Sequence, residues 1–148
     1  MLEGLFLTPA VTAINEALAS AHADGPIAVL GNAKLAQALA GKREVIPVGL
    51  PARAAKKLPN AIPDLSSIEA GSLVAVIGVD LATEASAETW SATLRDLQRL
   101  VRDGGAIVLV DRGHAPEASR RALCAGLTEI EQRHAGRSVI TSGLVTHL

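Results

Sequence analysis

"PIAVLGNAKLAQALAG", Pro26 to Gly41, decides the fold. Its first five residues are an unbroken apolar run, the pattern of a central strand covered on both faces. After Gly31-Asn32, the residues Leu35, Ala36 and Leu39 recur at helical spacing, and Gly41 supplies a stop. Strand, tight turn and helix in that order form the unit where α/β sheets keep a glycine-rich ligand loop. Here the turn holds one glycine, Gly31, followed by Asn32, Ala33 and Lys34.

The same alternation continues outward. Upstream, Thr8-Pro9 reads as a helix cap with proline at the first helical position, and Val11, Ile14, Leu18 and Ala21 predict an amphipathic helix over 9–22. Downstream, "EVIPV" (44–48) is a strand whose Pro47 places it near an edge or at a strand end. "PARAAKKL" (51–58) is a short basic helix, and 59–71 is irregular, with at most a short strand near Ala61-Ile62. "SLVAVIGVD" (72–80) is a buried strand. Ser86 to Asp103 is a long helix with Trp90, Leu94, Leu97 and Val101 on one stripe and Arg95, Arg99 and Arg102 outside it. Gly104-Gly105 ends it before the strand "AIVLV" (106–110), and a further helix spans Ala115 to Gly126. The last segment divides into two strands around Ala135-Gly136, a hairpin signal. The expected class is α/β: a doubly wound, mostly parallel sheet of six or seven strands, helices on both faces and a C-terminal antiparallel hairpin. No linker interrupts residues 1–148, so one domain is expected, with 1–25 a helical segment packed on the sheet.

Composition narrows the chemistry. The 148 residues are 49% hydrophobic and 20% charged, which excludes a disordered chain. A net charge of -1 gives no field for nucleic acid or an anionic membrane. One cysteine, Cys124, excludes an internal disulfide. "MLEGLFLTPAV" lacks a basic region, and no apolar run approaches the roughly 20 residues that span a bilayer, so a cytoplasmic location is expected. With no Tyr, one Phe and one Trp, the chain has few faces on which to stack a base.

The layout resembles the class I S-adenosylmethionine-dependent methyltransferase fold, a Rossmann-type sheet. "WSATLRDLQRLVRDGGAIVLVDRG" (90–113) is similar to that family's helix, its L-x-P-G-G turn and its fifth strand. "ALCAGLTEIEQRHAGRSVITSGLV" (122–145) is similar to its last helix end and last two strands, and "SLVAVIGVD" to its fourth strand. The family holds its cofactor on a G-x-G-x-G loop after the first strand and on an acid ending the second. Aligned on Leu35-Ala36, the three glycine positions fall on Val29, Gly31 and Ala33, and the acid position on Gly49 or Leu50. The resemblance implies cofactor contacts at Gly31, Asn32, Ala33, Gly49, Asp64 and Asp80. With two of the three glycines and the acid missing, the expectation is that no cofactor binds.

Other chemistry is sparse. His22, His114, His134, His147 and Cys124 have none of the spacings of a metal site, so no metal is expected, and Cys124, in an apolar helix stretch, reads as a small hydrophobe. "DRGHAPE" (111–117) is the most polar stretch at the carboxyl end of a parallel strand, where Asp111, Arg112 and His114 can bind an anion or form an acid/base set. The basic run Lys42, Arg43, Arg53, Lys56 and Lys57 reads as a solvated face, with phosphate as the other reading. Three functions stand. The first is a methyltransferase-like domain without catalysis, acting as a binding or assembly protein through a homo-oligomer or protein partner. The second is a divergent methyltransferase that uses S-adenosylmethionine, and the third a small-molecule enzyme or sensor built on 111–114.

Overall fold

The computed structural model describes residues 2–21, 24–30, 32–40, 44–49, 53, 56, 61–62, 64–81, 87–112, 115–124 and 126–146. In chain order these form α1 (Leu2–Ser20), β1 (Ile27–Leu30), α2 (Ala33–Leu39), β2 (Val45–Val48), a single 3-10 turn (Leu65–Ser67), β3 (Leu73–Val79), α3 (Ala87–Leu100), β4 (Val101–Arg112), α4 (Ala115–Cys124), β5 (Thr128–Ala135) and β6 (Ser138–Leu144). The strands make one six-stranded sheet in the order β2-β1-β3-β4-β6-β5. β1 to β4 run parallel, whereas β6 runs antiparallel to both β4 and β5. Beyond β2, Ile62 forms a one-residue parallel bridge to Val48. The expected class, with its antiparallel hairpin, is the observed one, and the short strand allowed near Ala61-Ile62 is reduced to that single bridge.

The central strands β1, β3 and the body of β4 are buried on both sides because they are apolar throughout rather than alternating, whereas β5 at the edge is polar and largely exposed. One face packs Ile27, Val29, Ile77, Val108 and Ile140 against Ile14 and Leu18 of α1 and Leu35 and Leu39 of α2. The other packs Ala28, Val76, Ile107 and Leu109 against Leu94, Leu97 and Leu100 of α3 and Leu123 of α4. Each such Leu or Ile contributes about 1.5–3 kcal/mol relative to exposure, so neither face tolerates a polar break without a partner. Pro47 sits where its missing N–H does no harm. Its carbonyl accepts from Ile62 N at 2.9 Å, so this residue's backbone faces the outer edge, where the sheet continues only through that bridge.

Three boundaries differ from expectation. α1 begins at Leu2, and Pro9 lies inside it rather than at its start. A proline costs a helix one hydrogen bond and its φ remains helical, so the residues before it extend the helix regardless. α3 stops at Leu100, and Val101 begins β4, paired with Leu73. The β-branched Val101 continues the helical stripe in sequence but is buried as a strand residue. α4 ends at Cys124, whose side chain is exposed instead of packing as a small hydrophobe.

Between Leu73 and Ala75 the β3–β4 register shifts, and the extra residues of β4 are taken up around Gly104-Gly105. Gly104 has φ 84°, the left-handed region. At Gly105 a Cβ would lie 2.5 Å from the Val74 carbonyl oxygen and 2.5 Å from Val101 Cγ1. A Gly104→Ala change adds only left-handed strain, about 1–2 kcal/mol, because nothing lies within 4 Å of its Cβ position. Gly105→Ala must displace backbone and is expected to cost about 2–3 kcal/mol. Urea midpoints at unchanged slope measure both. Equal losses at the two positions would contradict the close approach.

Candidate functional site

β1 leads out to β2 on one side, and the chain then returns to place β3 on the other side of β1. The sheet therefore reverses direction of winding between β1 and β3, with Leu30 paired to Gly78 just below the carboxyl edge. Doubly wound sheets bind ligands in the crevice above such a point.

On the β1 side, Asn32 has extended backbone (φ -150°, ψ 110°), and its Oδ1 accepts from Leu35 N at 2.9 Å. The side chain thus satisfies one orphan donor of α2, the ordinary work of an N-cap. Ala33 follows as the first helical residue and is half-buried. Gly31 lies outside the described residues.

On the β2 side, Gly49 is exposed with φ 69° and donates its N–H to the Ile62 carbonyl at 3.0 Å. Glycine suits this position because the backbone turns left-handed as it leaves the sheet. Leu50, the other candidate for the family's acid position, is apolar and lies outside the described residues. Asp64 stands two residues past the Ile62 bridge as the cap of the 3-10 turn. Its Oδ1 accepts from Ser66 N at 2.8 Å and from the Ser66 hydroxyl. Those two bonds hold its carboxyl below the usual range.

The carboxyl ends of β3 and β4 carry the other polar groups. Asp80 adopts φ 55°, donates its N–H to the Val110 carbonyl at 2.8 Å, and accepts from Arg112 Nη2 at 3.0 Å. Arg112 is exposed and Asp80 partly so, which makes this a rim pair worth about 0–1 kcal/mol and chiefly a constraint on orientation. Asp111 is only 1% exposed. Alternation along β4 sends Ala106, Val108 and Val110 to the α1 face, so Asp111 turns with Ile107 and Leu109 toward α4. There Ser119 donates its hydroxyl to Asp111 Oδ2 at 2.5 Å. Burial pushes the Asp111 carboxyl above its ordinary value, the Ser119 bond opposes that, and the Asp80 charge adds to the push.

The expected set of Asp111, Arg112 and His114 is thus divided. Asp111 turns inward to Ser119, Arg112 joins Asp80, and His114 lies outside the described residues. Sequence reasoning missed Ser119. Its signal was a hydroxyl four residues before the buried Leu123, on the inward stripe of α4.

Away from this edge, Arg133 on β5 bonds Glu131 at 2.7 Å and Ser20 of α1 at 3.3 Å. A depression of about 60 Å³ beside it is lined by residues including Ser20, Glu129, Glu131 and Ser142. It reaches Ala106, at the opposite end of the parallel strands from Asp80. His134 pairs with Val139 in the hairpin, one position from Ser138. Among the described residues no cluster of His, Cys, Asp or Glu could hold a metal ion, and no helix is long and apolar enough to cross a membrane.

No protein-family model matches the chain, and no curated protein matches its sequence. Solved structures do match its fold, among them methyltransferases crystallised with S-adenosylmethionine or its demethylated product. The N-methyltransferase NodS of Bradyrhizobium japonicum, in complex with S-adenosyl-L-homocysteine, superposes with a TM-score of 0.76 at 13% identity, covering 96% of this chain and 88% of that one. Human N-acetylserotonin methyltransferase in complex with S-adenosylmethionine gives 0.75 at 12% identity over 99% of this chain and 53% of that one. The Thermus thermophilus 16S rRNA methyltransferase RsmC, in complex with the same cofactor and guanosine, gives 0.66 at 20% identity over 83% of this chain. This chain spans 36% of RsmC's length. The chain therefore has the methyltransferase-like fold. The expectation of no cofactor is corrected: fold neighbours are crystallised with S-adenosylmethionine or its demethylated product, in sheets of this kind. That expectation weighed missing side chains, whereas backbone groups at a switch point do much of the holding.

The raised Asp111 pKa carries a sign. Its folded value lies above 3.8, so the native state binds the extra proton; the associated stability is present at low pH and is lost as pH rises through the folded value. Asp111→Asn cannot ionise and escapes that loss. From about pH 4.5 to about pH 7.5 its urea midpoint is expected to fall less than that of the wild type. Identical pH slopes for the two proteins would contradict a carboxyl strained by burial.

Proposed function

We propose that this chain is a divergent S-adenosylmethionine-dependent methyltransferase that takes its cofactor in the crevice above β1 and β3. The observation that carries this is the strand order of the described residues, β2-β1-β3-β4-β6-β5 with the Ile62 bridge outside β2, and its reversal between β1 and β3. The fold neighbours crystallised with the cofactor or its product support the reading.

The residues present fit an adenosyl group in part. Gly49 is exposed and without a side chain, so the end of β2 admits a ligand close to the backbone. Asp64 carries both described bonds on Oδ1, which leaves Oδ2 to accept from an amino group. Neither Gly49 nor Leu50 offers a carboxylate for a ribose diol. S-adenosylmethionine, when bound, supplies a methyl group on a positively charged sulfur. In this reading Asp80, held by Arg112 at the rim, would orient an acceptor's hydroxyl or amine and take its proton. Asp111 and Ser119 lie behind it and fix the end of β4 against α4.

The missing diol acceptor favours a second reading, in which the domain binds the cofactor or its product without transferring the methyl group and serves as a binding protein. Calorimetry decides the shared premise. S-adenosyl-L-homocysteine is expected to bind with a micromolar Kd, and Asp64→Ala to weaken it by about tenfold, the value of one hydrogen bond to a charged group. Absence of binding at about 1 mM ligand, where only some 4 kcal/mol of affinity is needed, would contradict both readings.

A further inference from the structure

We propose that the outer edge of β5 pairs with the same edge of a second copy of this chain, antiparallel and centred on Gln132, so that two six-stranded sheets join into one. This goes beyond the cofactor reading and does not rest on it, because β5 lies at the far side of the sheet from β1 and β2.

Among the described residues β5 ends the sheet, with β6 its neighbour on the inner side. The hairpin turn sets which of its backbone groups face outward. Ala135 pairs with Ser138 across the turn Gly136-Arg137, in which Gly136 has φ 62°. In a two-residue turn the flanking residues exchange both main-chain bonds, and the pattern then alternates along the strand. Ala135, Arg133 and Glu131 therefore direct their N–H and C=O toward β6, and His134 and Gln132 direct theirs outward. Glu131, Gln132 and His134 are exposed. The two edges of the sheet differ in protection. β2 carries Pro47 and is met by the Ile62 bridge, whereas 130–135 contains neither proline nor lysine. The irregularity between Thr128 and Glu131 bends the strand away at that end and limits pairing to about 130–134.

The charges choose both the partner and the register. A two-fold axis beside Gln132 makes β5 its own complement, as a closed dimer requires. Gln132 then stands opposite the second copy's Gln132, where their outward N–H and C=O groups form a hydrogen-bonded pair. Glu131 stands opposite the second copy's Arg133, and Arg133 opposite its Glu131. Both are non-hydrogen-bonded pairs, in which facing side chains come closest. Ile130 falls opposite His134. Centring the axis on Glu131 or on Arg133 instead sets like charges face to face, which is destabilising. Within one chain Arg133 already bonds Glu131 at 2.7 Å and lies 3.9 Å from Glu16 of α1. Those contacts hold the guanidinium on the α1 side of the strand with Glu131, so acid and base alternate across the seam on that face. The paired length is short, so the dimer is weak and reversible.

Sedimentation velocity on the full chain tests this. The wild type is expected to pass from monomer to dimer with a Kd of about 10–100 μM, as for a small interface. Glu131→Arg and Arg133→Glu should each weaken the dimer about tenfold or more, because each sets like charges across the seam. An equimolar mixture of the two variants should restore it, since every arginine then faces a glutamate of the other copy. His134→Pro removes an outward N–H and keeps the bonds to β6, so it should be monomeric with a urea midpoint near that of the wild type. A wild type still monomeric at about 1 mM would overturn the inference. So would a dimer that His134→Pro or either charge variant leaves intact, or a mixture that fails to associate. Should Arg133→Glu lose its fold along with its contacts to α1, the proline variant decides alone.

Discussion

The approach of Gly105 to the Val74 carbonyl sets the registry on which the polar edge depends. Because no Cβ intervenes there, β4 can absorb its extra residues at the amino end and then run in unbroken register with β3, from Ala75 opposite Ala106 to Val79 opposite Val110. That register delivers the Asp80 N–H to the Val110 carbonyl and brings Arg112 to the Asp80 carboxylate. It also fixes which side of the sheet each following residue takes. A one-residue slip would exchange the faces of Val110 and Asp111, driving a carboxylate under α1 and away from Ser119. A backbone contact at the bottom of the sheet thereby positions three side chains at its top.

Those side chains make the carboxyl ends of β3 and β4 the polar part of the edge. At the ends of β3 and β4 stand Asp80 and the buried Asp111, with Arg112 answering the first and Ser119 the second. The end of β2 carries Gly49 and Leu50 and no carboxylate. The switch point lies between these strand ends.

Much of the architecture was legible because a short apolar run without alternation suits a strand covered on both faces and little else. β1, β3 and the core of β4 are such runs, and Ala135-Gly136 marked the hairpin. Where periodicity and pairing compete, the sequence misled. Val101 continues the stripe of Leu94 and Leu97, yet its partner is Leu73 across the sheet. Pro9 follows a good cap residue, yet the helix runs through it. The site was legible in outline only. Asn32 and Asp64 act as caps, which local sequence suggests, whereas Asp80 and Arg112 meet across 32 positions and Asp111 meets Ser119 through a crossover. Neither pairing leaves a local pattern. The expectation of no cofactor rests on motif glycines and an acid, which are local in sequence, whereas the strand order shared with the cofactor-bound neighbours is a property of the whole sheet.

Amide chemical-shift mapping on addition of S-adenosyl-L-homocysteine tests the central claim most directly, because it locates a ligand rather than only detecting one. If the crevice between β1 and β3 holds the adenosyl group, shifts concentrate at Asn32, Gly49, Asp64, Gly78 and Asp80, and leave Glu129, Glu131 and Ser142 unmoved. Shifts confined to that second group, around the depression beside α1, or no shifts at saturating ligand, would contradict the account.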